Sequence, residues 1–401
     1  MAGGYRIALR GAAVAALLVA SAGCASRCGP RGVQSLPAQC ADDLVAERER
    51  AAARGLDWLQ AYLDEDRHLA FLGADAVEIF LEAGMTARSA AVRQRCLAVA
   101  SRYAEKLLPR YLQAGGLADR QNLTDAWTLV ARADELSLRL DELVVRLRAR
   151  MQSITTFAEE YGVKAVGVRE VADDELVELL IDSYLIEKLR LAQPEIHSLP
   201  RWREVLDRLN DPASWRRAAA DEAVREQLGY LASHVFYTLN DYGRLAVRPG
   251  DAPAAWTYMR SELGEALAQD ELELAAEIVD IFHSAGLSES QDPALCDATR
   301  RLLAAQNPDG SWGTPEPDDD YYDEIHPTWT AVHGLRTRIF LSGTPFDRRR
   351  RVLSDEIDDL AKRRWPGASL MKAPERLRRP PRLPGWLLGP AARPGHVSFE
   401  P

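Results

Sequence analysis

Apolar residues recur at steps of three and four along most of the chain, and this is the period of an amphipathic α-helix. Turn-forming groups such as Gly115-Gly116 and Arg248-Pro249-Gly250 interrupt the pattern at intervals. The chain is also rich in Ala, Leu, Arg and Glu, which favour helices. We therefore predict an all-α body. The predicted helices span residues 43–63, 72–81, 87–108, 124–136, 141–161, 173–191, 201–209, 214–239, 252–267, 272–284 and 293–305.

Two of these helices carry the same pattern. Residues 72–84 align without gaps with residues 274–286, and residues 235–243 form a poorer third copy. The shared positions are Val77/Val279, Ile79/Ile281, Phe80/Phe282, Ala83/Ala285 and Gly84/Gly286. A repeat of this kind predicts stacking of like helical units. The alternative is a chance match between two amphipathic helices.

The last predicted hairpin is organised around a tryptophan. Pro308 has no backbone N–H with which to continue the preceding helix, and Asp309-Gly310 supplies turn chemistry. We expect Trp312 to fold back onto that helix and to stabilise the turn by burial. The next helix is predicted to begin near His326-Pro327, because proline suits the first positions of a helix.

Residues 306–313 resemble the glutamine–tryptophan repeat of squalene–hopene and oxidosqualene cyclases. The following Asp323-x-x-His326-x-x-Trp329 resembles the last helical hairpin of protein prenyltransferase β subunits. The resemblance to these terpene cyclase and prenyltransferase families implies an (α/α)6 toroid or a closely related helical-hairpin repeat. An ordinary helix–turn–helix connection is the alternative.

The chemistry of those families is not carried over. The sequence lacks the Asp-x-Asp-Asp motif of class II terpene cyclases. It also lacks the Asp-x-Cys pair that the position of His326 would join to hold zinc in a prenyltransferase. His326 and His333 are about 10 Å apart along a helix, too far to share one metal without strain. We predict no metal site, and the sequence does not indicate whether a cofactor binds.

The N-terminus has the features of an export signal, which we assign to residues 1–23. Arg6 and Arg10 precede a short apolar stretch and a small-residue cleavage site. Ala22-Gly23-Cys24 resembles the bacterial lipobox, so Cys24 is the predicted lipidation site and anchors the protein to a membrane, with the outer membrane favoured by Ala25. The alternative is ordinary cleavage that leaves a secreted protein.

Residues 24–41 are predicted to be a tether, residues 42–363 the helical domain and residues 364–401 a disordered tail rich in Pro and Arg. A disulfide between Cys28 and Cys40 is left open, while Cys96 and Cys296 are expected to be packed thiols. The formal net charge is -10, and an acidic body argues against nucleic acid as a partner.

Four histidines on the C-terminal hairpins are the candidate functional residues: His234, His283, His326 and His333. His234 with Asp241, and Asp323 with His326, are predicted to meet in a central cavity as an acid/base or metal cluster. The alternative is that each histidine is partly buried with a local hydrogen-bond partner.

Two functions follow from this reasoning. The first is an exported lipoprotein whose toroid binds a small molecule or a partner without transforming it. The second is an enzyme that acts on an isoprenoid or a glycan at a centre formed by His326, Asp323, Asp241 and His234. A closed apolar cavity would favour the isoprenoid, whereas Asp, Glu and Trp facing an open groove would favour sugars. An irregular helical scaffold without a closed ring is the third alternative.

Overall fold

The computed structural model describes residues 42–136, 138–153, 176–189, 202–212, 215, 222–315 and 320–341, and in these ranges the all-α prediction is confirmed. The predicted signal, the tether, Cys24 and the C-terminal tail lie outside the described residues. The helices are α1 (Asp42–Leu63), α2 (Asp66–Leu72), α3 (Ala74–Thr86), α4 (Ala90–Leu112), α5 (Arg120–Ala131), α6 (Ala133–Leu136), α7 (Asp141–Ser153), α8 (Leu176–Leu189), α9 (Trp202–Leu209), α10 (Glu222–Leu239), α11 (Pro253–Ala268), α12 (Leu272–Ser284), α13 (Pro293–Ala304) and α14 (Tyr321–Leu335). Across the described ranges, none of the helices combines the length and the apolar character needed to cross a membrane.

Side-chain caps fix the start of several helices. The carboxylate of Asp292 accepts hydrogen bonds from the first backbone N–H groups of α13, and Pro293 follows it at the first helical position. Asp320 does the same for α14. Because this cap starts α14 at Tyr321, the prediction of a start near His326-Pro327 is wrong, and Pro327 lies inside the helix.

The helices pack in pairs: α3 with α4, α5 with α7, α8 with α9, α10 with α11, α12 with α13, and α14 with α1. The first members of these pairs, which we call the inner helices, also contact one another in the order α3, α5, α8, α10, α12, α14. Helix α2 contacts both α14 and α3. The contacts among the inner helices thus follow the order of the chain, and α2 connects the last inner helix to the first.

The chain after α14 ties the last inner helix to the first. Residues 336–341, the closing segment, run past the C-terminal ends of α3 and α10. The N–H of Ile339 donates to Thr86 O at 2.8 Å, and the N–H of Leu341 donates to Arg244 O at 2.8 Å. Buried Arg48 of α1 adds a further tie, since its Nε–H donates to Leu335 O at 2.9 Å.

The turn around Trp312 has the predicted form. Trp312 is buried, and its Nε1–H donates to Leu302 O on the preceding helix at 2.7 Å. Gly310 has a φ of +101°, and a Cβ there would lie 2.7 Å from the carbonyl oxygen of Arg54. The turn therefore requires glycine, and it joins α13 to α1 as well as to α14.

The two described cysteines differ from each other. Cys96 is a buried free thiol, as predicted. Cys296 is disulfide-bonded, so the prediction of a packed thiol is wrong there. It lies in the first turn of α13 and packs with Leu44 and Leu303.

Candidate functional site

The inner helices carry rows of polar and aromatic side chains at helical spacing. On α12, Glu273, Glu277 and Asp280 share one face of the helix. Three other helices carry similar rows. The row on α3 consists of Asp75, Glu78 and Glu82, the row on α10 of Tyr230, His234 and Tyr237, and the row on α14 of Tyr322, His326, Trp329 and His333. The site is built where these rows meet.

The internal repeat places acids at equivalent points of two rows. The alignment of residues 72–84 with residues 274–286 sets Asp75 opposite Glu277 and Glu78 opposite Asp280. The structure places both copies in inner helices, α3 and α12, on either side of α14 in the cycle of contacts. The repeat thus carries acidic positions as well as the apolar ones.

His326 lies between two carboxylates of α12, and we call this group the His326 centre. Its Nδ1 is 2.6 Å from Glu273 Oε1, and its Nε2 is 3.8 Å from Glu277 Oε1. Ser233 of α10 donates a hydrogen bond to Glu277, and the hydroxyl of Tyr230 donates to Glu273 at 2.7 Å. Burial opposes protonation of His326, but Glu273 and Glu277 outweigh it and raise its pKa. His326 and Glu273 therefore form an ion pair.

Two carboxyl groups near this ion pair stay partly protonated at neutral pH. Burial raises the pKa of Glu277 from 4.5 to about 7, although His326 and Ser233 act in the opposite direction. Burial, reinforced by Asp125 and Glu78, raises the pKa of Asp75 from 3.8 to about 7. Both therefore titrate in the range that general acid/base catalysis needs.

Several of these side chains are partly exposed to solvent, although many surrounding protein atoms shield them from water. Asp75 is only half-buried, and 28% of the Glu273 side chain is exposed. Tyr322 stacks on His326 with ring centroids 4.6 Å apart, and Trp329 meets the same imidazole edge-on at 5.5 Å. Both aromatic residues are half-buried. Asp75, Glu273, Tyr322 and Trp329 are therefore partly accessible to solvent around the buried His326.

The predicted pairing of Asp323 with His326 is corrected by the structure. Asp323 is exposed in the first turn of α14, and the carboxylates that contact His326 come from α12. His234 is half-buried and its Nδ1–H donates to Tyr230 O at 2.8 Å, which leaves Nε2 as the acceptor. Burial lowers the pKa of His234 to about 4, so the ring is neutral at pH 7.

Asp241 does not pair with His234 but belongs to a separate network at the C-terminal ends of α5 and α8. Its carboxylate accepts hydrogen bonds from Arg132 at 3.0 Å, from Lys188 and from Tyr184. Burial would raise the pKa of Asp241, but Arg132 and Lys188 outweigh it and hold the pKa well below its usual range. Asp241 is thus permanently ionised, and the prediction that it shares an acid/base role with His234 is not supported by this geometry.

A third cluster lies beneath the closing segment. Ligand atoms of Glu82, Asp280 and His333 all lie within 4.8 Å of one another, close enough for a metal ion. However, Arg338 forms ion pairs with both carboxylates, and Arg336 forms one with Glu82. A divalent cation would sit beside two buried guanidinium groups, so these residues do not fit a metal site.

Compared with protein-family models, with curated proteins and with solved structures, the chain shows no significant match. The resemblance to cyclases and prenyltransferases therefore rests on the C-terminal hairpin alone. Sequence reasoning located His326 but missed Glu273, Glu277 and Asp75. The signal that could have found them is a set of carboxylates at helical spacing inside apolar helices, two of them at equivalent positions of the repeat.

Proposed function

We propose that this chain is an exported bacterial protein whose helical toroid binds a glycan in a central cavity and cleaves it by general acid/base catalysis. The observation that supports the proposal best is the pair of repeat-equivalent carboxyl groups, Asp75 and Glu277, each with a pKa of about 7. They flank the helix that carries His326, Tyr322 and Trp329.

The charge pattern suits hydrolysis of a glycosidic bond. This reaction uses one protonated carboxyl, which donates a proton to the leaving oxygen, and one carboxylate, which activates water or attacks the sugar. Near neutral pH, Asp75 and Glu277 are each a mixture of the two forms. The hydroxyl of Ser233 holds Glu277 in place by a hydrogen bond, and the ion pair between His326 and Glu273 adds no net charge to the site.

A glycan fits this lining better than an isoprenoid does. The half-buried side chains include a carboxylate, an imidazole and several phenol hydroxyls, as in Asp75, His234, Tyr230 and Tyr237. A hydrocarbon would remove water from these groups and return no hydrogen bonds. Sugar hydroxyls can bond them, and the apolar face of a sugar ring can pack on an aromatic side chain.

The disulfide at Cys296 favours the export part of the proposal, because disulfides persist in oxidising compartments. We propose that Cys24 is lipidated and anchors the protein to a membrane. Metabolic labelling with a palmitate analogue tests this directly. We expect label on the wild type and none on Cys24→Ser; an unlabelled wild type rejects the anchor and leaves secretion.

Incubation of the purified protein with a panel of polysaccharides tests the catalytic proposal, with release of reducing ends and binding measured separately. We expect Glu277→Gln and Asp75→Asn to abolish release while binding persists. Asp323→Asn serves as the matched control and should leave both unchanged, because that side chain is exposed at the start of the same α14. Binding without release by the wild type would support the binding-protein alternative, and no binding to any glycan would reject the proposal.

A further inference from the structure

The disulfide at Cys296 needs a second cysteine, and the chain offers few. Besides Cys296 itself, the sequence contains Cys24, Cys28, Cys40 and Cys96. Cys96 is a buried free thiol. Cys296 is therefore bonded to one of the other three, which all precede α1 and lie outside the described residues.

The start of α1 lies against the start of α13, where Cys296 is found. Leu44 of the first turns of α1 and Cys296 are buried against each other, with Leu303 packed beside them. One turn further along α1, buried Arg48 donates to Glu289 at 2.7 Å, and Glu289 lies shortly before α13. The chain that enters α1 thus passes close to Cys296.

The two helices run in the same direction from this point. Gln306, which follows α13, donates to Ala51 O at 2.8 Å, and Ala51 lies about two turns after Leu44 in α1. Later residues of α1 therefore meet later residues of the α13 hairpin. Because the Cα–Cβ bonds of a helix tilt toward its N-terminus, the side chain of Cys296 leans toward the end at which α1 begins.

The distance along the chain favours Cys40 over the other two cysteines. Cys40 precedes Leu44 by four residues, whereas Cys28 precedes it by sixteen and Cys24 by twenty. Four residues span at most about 14 Å, so Cys40 stays near Leu44 whatever its conformation. The effective concentration of a tethered group falls roughly as the −3/2 power of tether length, which gives Cys40 about an eightfold advantage over Cys28.

We propose that Cys40 is the disulfide partner of Cys296, so that the chain in front of α1 is joined covalently to α13. The two thiols are oxidised to the disulfide, and a disulfide such as oxidised glutathione takes up the two electrons and two protons and becomes two thiols. This pairing excludes a Cys28–Cys40 disulfide. The bond closes a loop that contains α1 to α12, and a long loop restricts the unfolded chain strongly.

Peptide mapping tests the pairing directly, because trypsin places each cysteine on a different peptide. Cys24, Cys28 and Cys40 fall in residues 11–27, 28–31 and 32–48, and Cys296 falls in residues 261–300. The full chain is equilibrated with oxidised and reduced glutathione, alkylated, and digested without reductant. We expect mass spectrometry to find residues 32–48 linked to residues 261–300. A link from residues 261–300 to either other peptide, or an alkylated or glutathionylated Cys296, would overturn the pairing.

Unfolding in urea gives a second, independent measurement. Cys40→Ser and Cys296→Ser should lower the unfolding midpoint by the same amount, and the double variant should lower it no further, because both changes remove one bond. A reductant should bring the wild type to the same midpoint. Cys28→Ser is the matched control from the same N-terminal segment and should leave the midpoint unchanged.

The outcomes separate this pairing from the proposed function. A Cys28→Ser variant that loses as much stability as Cys296→Ser, or a Cys40→Ser variant that loses none, would overturn the pairing. Neither measurement uses a glycan, so a protein that cleaves no polysaccharide would reject the catalytic proposal and leave the disulfide standing.

Discussion

Replacement of Glu277 by glutamine should abolish activity and at the same time stabilise the protein at alkaline pH. Glu277 is 2% exposed in its side chain, and burial raises its pKa from 4.5 to about 7. The folded state therefore binds this proton more tightly than the unfolded state does. The ionised carboxylate opposes folding, and its replacement by a neutral isostere removes that opposition.

The size of the effect follows from the two pKa values. Each pKa unit corresponds to about 1.4 kcal/mol, so the fully ionised group costs about 3 kcal/mol. For an acid whose folded pKa is raised, this cost is absent below the unfolded pKa near 4.5, grows as the pH rises, and is complete above about 7. The amide of glutamine returns about 1 kcal/mol of this gain if one N–H finds no acceptor. We expect net stabilisation of about 2 kcal/mol at pH 8 and net destabilisation of up to about 1 kcal/mol at pH 4.5, where only the cost of the amide remains.

Urea unfolding of the wild type and Glu277→Gln at a series of pH values measures the difference. The chain contains nine tryptophans, so their fluorescence gives the free energy of unfolding at each pH. Glu82→Gln is the matched control. Glu82 is buried to a similar degree, but its ion pairs with His333, Arg336 and Arg338 hold its pKa far below the usual range, although burial acts in the opposite direction.

The control should behave in the opposite way. Loss of the Glu82 carboxylate leaves the buried guanidinium of Arg336 without its carboxylate partner and removes one of the two partners of Arg338, and we expect destabilisation of about 3–5 kcal/mol at pH 8. The reasoning about Glu277 is refuted if Glu277→Gln destabilises the protein at pH 8 as Glu82→Gln does. That result would assign Glu277 a structural role and remove the main support for the proposed acid/base pair.

Three further predictions concern stability and are read by the same unfolding assay. Trp312→Ala should cost about 3–5 kcal/mol, and an unchanged midpoint would show that the turn does not need its anchor. Gly243→Ala should cost at least about 3 kcal/mol, because its φ is +80° and the new Cβ would lie 1.8 Å from a carboxylate oxygen of α3. Gly264→Ala in α11, where a Cβ meets nothing within 4 Å, should instead gain about 0.5–1 kcal/mol; equal effects at the two glycines would contradict the geometry. Cys296→Ser should cost about 2–4 kcal/mol, and a reductant should lower the stability of the wild type but not that of the variant.

Features that depend on local sequence were predictable. The period of apolar residues gave α12 its correct bounds, and Pro308 with Gly310 gave the turn around Trp312. The prediction was wrong where the period of apolar residues and a glycine gave conflicting signals. Residues 72–81 were predicted as one helix, but Gly73, with a φ of +57°, ends α2 and starts α3.

The partners of the candidate site could not be predicted, because they depend on how different helices are placed against each other. The sequence pairs His326 with the nearby Asp323, whereas the fold pairs it with Glu273 and Glu277 of another helix. Likewise, the pKa of Asp75 is raised first by burial and then by Asp125 of α5, and only the smaller contribution of Glu78 comes from its own helix. A row of carboxylates in an apolar helix predicts a buried acidic environment, but it does not predict which side chains of other helices contribute to it.

Arginines pair with some of the acids in the polar rows and not with others, and the difference follows the position of the acid along its helix. Every acid in the C-terminal half of the rows on α3 and α12 pairs with arginine: Glu78 with Arg132 and Arg244, Glu82 with Arg336 and Arg338, and Asp280 with Arg338.

The N-terminal halves of the same rows lack this compensation. The pKa of Asp75 is raised with no cation other than His326 acting on it, and Glu277 shares that single imidazole with Glu273. An arginine beside Asp75 or Glu277 would have stabilised the fold in the same way as the arginines do about one turn further along each helix. Because uncompensated buried carboxyls cost stability, their position in the N-terminal part of both rows is the arrangement that the proposed acid/base chemistry requires.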